Sequence, residues 1–245
     1  MMNEKKKHES KINKILEAID SFLECEGLTG KELYLYWTTF WKLAGENATH
    51  AHFSGMTEYL LMRWLVLHYN LEFCKRKKKK ENEIEKTTIL QLKDKDELFA
   101  AFNCSHSANN MMKKSNGVEL KGFNPDIILY KAMQGCSEYR TVDELKKFVK
   151  EEALVKHIYE IKAYITGGVD AINHCVNTFS AIKECLQRFK DAKYTMLFYQ
   201  EKPTKKNQKI VQTLKEAKEN NPEWFDYQFL MEDNKCISSM FKLHE

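Results

Sequence analysis

Three carboxylates and one ammonium in this 245-residue chain stand where their local pattern disfavours charge. Asp126 follows Pro125 directly and leads into the apolar run Ile127-Ile128-Leu129-Tyr130. Asp is disfavoured inside a strand, and Pro is best tolerated at a strand's start, where a missing N–H does least harm. Glu160 and Lys162 lie within Ile158–Ile165. Strand alternation puts those two on one face and Tyr159, Ile161, Ala163 and Ile165 on the other. Glu58 shares a helix face with Met62, Leu65 and Tyr69, where an unpaired charge is costly. Taken singly, each has a plain structural reading: a turn residue, a same-face ion pair, a buried ion pair. Taken together they suit one chemistry. If the Pro-Asp strand and the Glu-x-Lys strand are neighbours, two carboxylates converge and chelate a hard divalent cation through oxygen, as Mg²⁺ prefers. The Lys162 ammonium can then orient a water or stabilise charge at phosphorus. A positioned water, a Lewis acid and neutralised charge are what phosphodiester hydrolysis requires.

The elements that must position these groups are legible in the spacing. Ile12, Ile15, Leu16, Ile19 and Leu23 keep helical periodicity up to Gly27. A second helix is predicted from Gly30 to Ala44, with Leu33, Tyr34, Trp37, Phe40, Trp41 and Ala44 on one broad face. A third is predicted from near Ser54 to about Phe73; it is apolar almost all round and therefore buried. The basic run Lys75–Lys80 reads as a solvated connection or a phosphate-contacting loop. Thr87–Leu92 reads as a strand, Asn103–Gly117 as a Ser- and Asn-rich loop carrying Lys113 and Lys114, and Asn124–Tyr130 as a short buried strand. Thr141-Val142-Asp143-Glu144 has capping-box spacing ahead of a short helix. His157–Ile165 is a strand broken by Gly167-Gly168, a turn that lets backbone approach a phosphate. A long amphipathic helix then runs over Val169–Lys190. Tyr194–Tyr199 is a further strand, Asn207–Glu219 a charged helix and Tyr227–Met231 a last strand. Helices interleaved with strands and no clear linker predict one α/β domain with a central mixed sheet and a helical N-terminal part.

Asn124-Pro125-Asp126 followed by Glu160-Ile161-Lys162 resembles the PD-(D/E)xK nuclease superfamily, the fold of many type II restriction endonucleases. In that superfamily a helix ahead of the sheet often carries an acidic residue aimed at the metal site, and Glu58 matches it. The long helix and strand after Glu-x-Lys match Val169–Lys190 and Tyr194–Gln200. The resemblance covers residues 54–200, the catalytic core it implies, with a helical extension at 1–50 and a C-terminal helix and strand at 201–245. The separation of Asp126 from Glu160 exceeds the tight hairpin common in the family and calls for an inserted helix, which the Thr141 capping box can supply. The resemblance implies a restriction-endonuclease-like sheet and Mg²⁺ (with Mn²⁺ substituting) held by Asp126, Glu160 and Glu58. It implies catalysis by Asp126, Glu160 and Lys162, and double-stranded DNA as substrate. Lys77, Lys78, Lys113 and Lys114 are the expected nucleic-acid contacts. Cutting both strands of a palindromic site implies a homodimer, for which the aromatic second helix offers apolar surface.

Composition permits this reading. A hydrophobic fraction of 43% supports a sizeable core, and only 3 Pro and 9 Gly argue against a linker-rich chain. A net charge of +4 is compatible with nucleic acid without requiring it. The seven Cys show no CxxC spacing, and scattered thiols, read as small buried hydrophobes, fit a reducing cytoplasm. No apolar stretch reaches the roughly 18 residues of a membrane span, and no apolar run follows the charged opening, so neither a membrane segment nor a signal peptide is expected. Walker A, GxGxxG, HExxH and GxSxG patterns are absent from the sequence. Three other readings compete: a cap-snatching-type RNA endonuclease using His50, His52 or His68, a non-catalytic DNA-binding protein on a degenerate nuclease fold, and an unrelated α/β protein.

Overall fold

The computed structural model describes residues 2–44, 50–69, 71–73, 89–92, 95–102, 125–131, 154–162, 168–199, 208–232 and 235–241. Three helices come first: α1 (Met2–Leu23), α2 (Gly30–Ala44) and α3 (His50–His68). The strands β1 (Leu71–Phe73), β2 (Ile89–Leu92), β3 (Lys95–Phe102), β4 (Ile127–Lys131) and β5 (Leu154–Lys162) follow. Then α4 (Gly168–Cys185), β6 (Lys193–Phe198), α5 (Gln208–Asn220) and β7 (Phe225–Phe229) alternate. The seven strands among the described residues join one sheet in sequence order. Pairing is antiparallel from β1 to β5 and parallel from β5 through β7. The parallel half needs crossovers, and α4 and α5 supply them.

Two apolar layers sandwich this mixed sheet, which follows from strands that are apolar on both faces. On one side α4 and α5 bury Phe179, Ile182, Leu186, Ile210 and Leu214 against Ile128, Ile158, Tyr194 and Met196. On the other, α1–α3 bury Leu23, Leu33, Trp37, Leu61 and Leu65 against Ile127, Leu129, Tyr159, Ile161 and Leu197. The alternate allegiance of Ile158 and of Tyr159 and Ile161 is the alternation expected for β5. Burying each large apolar side chain contributes roughly 1.5–3 kcal/mol. The segment 235–241 closes the helical side: the Ile237 N–H donates to Leu28 O at 2.9 Å and the Gly30 N–H to Lys235 O at 3.1 Å. A Cβ at Gly30 would overlap the Leu230 carbonyl, so only glycine allows α2 to start this close to the end of β7.

Several sequence expectations need correction. The third helix ends at His68, and Leu71–Phe73 is a strand, because Leu71 and Phe73 pair with Leu92 and Leu90. That helix starts at His50, ahead of the Ser54 start expected, so the His-Ala-His segment lies on its first turn. Lys95–Phe102 is a strand with no counterpart in the sequence reading; its Lys-Asp-Glu opening hid it. Helix α4 stops at Cys185 and a 3₁₀ turn over Gln187–Phe189 replaces its last turn. On the aromatic face of α2, Trp37 is fully buried against Tyr199, and Tyr34 and Tyr36 pack on the same core, while the side chains of Phe40 and Trp41 lie outside those described. Cys25 is exposed, while Cys175 and Cys236 are half-buried, so these three are not the fully buried hydrophobes expected. The basic run 75–80, the loop 103–117 and the Thr141 helix lie outside the described residues. No helix among the described residues is long and apolar enough to cross a membrane.

Candidate functional site

The register of two strands decides whether Asp126 and Glu160 can meet. β4 and β5 are antiparallel neighbours, with Ile127 opposite Tyr159 and Ile128 opposite Ile158. Continuing that register by one residue brings Asp126 level with Glu160. The juxtaposition is anchored, since the Ile161 N–H donates to Asp126 Oδ2 at 2.6 Å. Asp126 thus takes the hydrogen-bonding position that another strand residue would fill, which gives an Asp at this strand entrance a structural reason. Glu160 and Lys162, two apart on one face of β5, form an ion pair. Asp126 and Glu160 are both buried, and the Lys162 side chain keeps 35% of its surface.

Glu58 reaches the same place from the opposite layer. It sits on α3, and the preceding Thr57 is fixed where its carbonyl accepts the Tyr199 hydroxyl at 2.9 Å. Tyr199 follows β6, and its N–H donates to Lys162 O at 2.9 Å, so α3 is tied to the ends of β5 and β6 beside the Glu-x-Lys segment. The site therefore lies at the carboxyl ends of the parallel strands β5 and β6, where the entrance of β4 meets them.

Electrostatics show how closely these groups feel one another. Burial pushes the Asp126 carboxyl well above its usual range, and the charges of Glu160 and Glu58 push it further. Burial likewise raises Glu58, with Glu160 adding to it and Lys162 opposing. Burial raises Glu160 against the pull of Lys162. Burial pulls the Lys162 ammonium down, but the charge of Glu160 and its hydrogen bond outweigh this, and the group is held in its charged form. Among the described residues, three carboxyls face one ammonium, and each carboxyl is disfavoured in its charged form by burial. Mutually perturbed buried carboxyls with a charged partner are an arrangement that functional sites use.

Sequence reasoning missed two neighbours. Cys175, on α4, and Tyr194, on β6, lie against each other beside Glu160 and Asp126, and burial raises both, with Glu160 adding to each shift. Nothing in a lone Cys or a strand Tyr signals this; only the packing of α4 across β5 and β6 places them here. Of the expected nucleic-acid contacts, Lys77, Lys78, Lys113 and Lys114 lie outside the described residues. His68 does not join the cluster: its Nε2 is 2.7 Å from Leu23 O and its ring stacks on Trp64, at the far end of α3 from Glu58.

The donor set suits a hard cation. Asp126, Glu160 and Glu58 offer carboxylate oxygens, and their mutual repulsion would be relieved by a divalent ion. Among the described residues no three His, Cys, Asp or Glu side chains form a ready-made metal cage. Mg²⁺ does not require one, because it is commonly held by one or two carboxylates, waters and substrate phosphate.

The chain is thus an α/β protein whose mixed sheet, flanked by helices, gathers an acidic cluster with one lysine at the ends of its parallel strands. No family model matches it, and neither does any curated protein or solved structure.

Proposed function

We propose that this chain is a metal-dependent endonuclease hydrolysing DNA phosphodiester bonds, on a core of the PD-(D/E)xK kind, and that it acts as a sequence-specific, restriction-type cutter in the cytoplasm. One observation carries the reading: Asp126 and Glu160 stand level on paired strands, with Lys162 against Glu160 and Glu58 close enough to raise the Asp126 carboxyl. When bound, Mg²⁺ (or Mn²⁺ in its place) supplies Lewis acidity to the scissile phosphate and acidity to an attacking water. The chain's own residues do the rest. Asp126 and Glu160 would hold the ion, with Glu58 as a third carboxylate whose charge reaches them. The Ile161 N–H fixes the Asp126 carboxylate, so that its free oxygen needs no reorientation. Lys162, kept charged by Glu160, places an ammonium where negative charge develops at phosphorus or where a water must be oriented. Gly168 opens α4 in the left-handed region, at φ 67°.

A cap-snatching RNA activity loses one of its candidate histidines, since His68 is engaged elsewhere. The deciding experiment is Mg²⁺-dependent cleavage of plasmid DNA by the purified chain and by its Glu160→Ala variant. Discrete fragments from the wild type and none from the variant are expected. A smear would replace sequence-specific cutting with general nuclease activity. Binding without cleavage would favour the non-catalytic reading, and cutting by Glu160→Ala at the wild-type rate would sink the site assignment.

A further inference from the structure

Tyr199 joins the sheet to α3 beside the acidic cluster. It is the residue next after β6, it packs with Leu197 in the layer of the N-terminal helices, and it is fully buried. Its N–H donates to Lys162 O at 2.9 Å, which ties it to the end of β5. The Leu230 N–H donates to the carbonyl of the preceding Phe198 at 2.8 Å, which fixes the same backbone from the side of β7. Trp37 of α2, also fully buried, meets the Tyr199 ring edge-on, with centroids 5.8 Å apart. Backbone and ring are thus held from three elements, and the hydroxyl reaches a fourth: it donates to Thr57 O of α3 at 2.9 Å.

That hydroxyl is not needed to satisfy the helix. Thr57 lies inside α3, so its carbonyl accepts the Leu61 N–H of the helical ladder. A carbonyl has a second lone pair, and Tyr199 takes it. A Phe would fill the same core volume without bringing a hydroxyl out of water, which is costly unless that hydroxyl is bonded. The bond therefore adds what packing alone does not, a fixed spacing between Thr57 and the end of β5. The next residue on α3 is Glu58, and the carbonyl that takes the Tyr199 N–H belongs to Lys162. One side chain thus sets the third carboxyl against the Glu-x-Lys strand. Partners that orient ligands from behind commonly matter by about 10–100-fold in metal affinity.

We propose that Tyr199 is a positioning residue of the metal site that acts through Glu58: its hydroxyl bond to Thr57 O sets where Glu58 stands relative to Asp126 and Glu160, and so sets the affinity for the divalent ion. The inference rests on the metal-site part of the reading above and is independent of which nucleic acid is cut.

Calorimetric titration of the metal-free full chain with MnCl₂ tests this in the wild type, Tyr199→Phe, Glu58→Gln and the double variant. Tyr199→Phe should raise the Mn²⁺ dissociation constant by about 10-fold or more. Its circular dichroism should hold, and its melting temperature in metal-free buffer should fall by no more than about 4 °C, the scale of one lost hydrogen bond in a chain of this size. In the Glu58→Gln background the same change should shift the constant by less than about twofold, since a residue that acts through Glu58 then has nothing to act on. Cleavage by Tyr199→Phe should need correspondingly more Mn²⁺ and reach the wild-type rate at saturating metal. An unchanged dissociation constant in Tyr199→Phe, or an equal loss with and without Glu58, would overturn the assignment while leaving the metal site in place. A Tyr199→Phe chain that fails to fold, or that melts far lower with its Mn²⁺ affinity intact, would make the contact structural and overturn it too. A wild type that binds no Mn²⁺ would overturn the metal-site reading and this assignment with it.

Discussion

At Asp126 the fold accepts a charge that burial opposes. Its carboxylate is buried, receives one backbone hydrogen bond from Ile161, and faces Glu160 and Glu58. An Asn of the same shape keeps an oxygen for the Ile161 N–H and removes the charge. Asp126→Asn should therefore abolish cleavage while raising the melting temperature in metal-free buffer by at least about 2 °C, the scale of a 1 kcal/mol gain in a chain of this size. Mg²⁺ should raise the melting temperature of the wild type and leave the variant unmoved, as differential scanning fluorimetry would read. A variant that melts lower without metal would mean that the carboxylate is a structural keystone and not a strained ligand. Lys162 divides the chemistry from the binding. Lys162→Ala should slow single-turnover cleavage by at least about 10²-fold at saturating DNA, with a dissociation constant close to the wild type's. Normal cutting by the saturated variant would make the Glu160–Lys162 contact a structural ion pair and no more.

Among the elements, α3 has the most demanding placement, since it must hold Glu58 against the sheet while packing on α1. A two-pronged contact sets its distance from α1: Arg63 Nε donates to Asp20 Oδ1 at 2.7 Å and Nη2 to Oδ2 at 2.5 Å. The Arg63 hydrogen bond holds the Asp20 carboxyl below its usual range. A carboxyl whose folded value is depressed stabilises the protein above its unfolded pKa, about 3.9, and that contribution fades as pH falls through the lower folded value. The pair is part-exposed, so its worth is on the order of 1 kcal/mol or less. Asp20→Asn should accordingly lower stability in urea melts at pH 7, with the difference from wild type closing below about pH 4. A difference that persists undiminished at acid pH would assign the loss to packing. Because Glu58 rides on the same helix, cleavage by Asp20→Asn at neutral pH should fall with stability and not beyond it.

For the molecule as a whole, DNA affinity and chemistry should reside in separate places. The basic run Lys75–Lys80 carries no carboxylate within it, and neutralising Lys77, Lys78, Lys79 and Lys80 should weaken binding while flattening its salt dependence by about one unit of slope per lost phosphate contact. The rate of the bound complex should stay near wild type; a slower bound complex with unchanged affinity would move that run to the active centre. The span of the predicted elements explains how much of this was legible beforehand. Helix α2 begins and ends where its spacing places it, β6, α5 and β7 fall within about two residues of expectation, and β4 starts at Ile127, past the Asn124-Pro125-Asp126 opening expected for it, because their apolar periodicity and flanking breakers are local properties. Glu58, Asp126, Glu160 and Lys162 were found by the same means, as charges out of step with their own segments. Strand β3 was invisible, since a sheet partner on each side overrides its charged opening, and Leu71–Phe73 left the helix because it pairs with β2 at the sheet edge. Local pattern by itself determined which segments are helices or strands and which residues are out of place in them. Only the tertiary structure decided that β4 and β5 are neighbours in a register that sets Asp126 beside Glu160, that Thr57 anchors Glu58 at the same strand ends, and that Cys175 and Tyr194 join them. Pairing between segments distant in the chain depends on which faces bury together, and a residue's own neighbours in sequence carry no record of that.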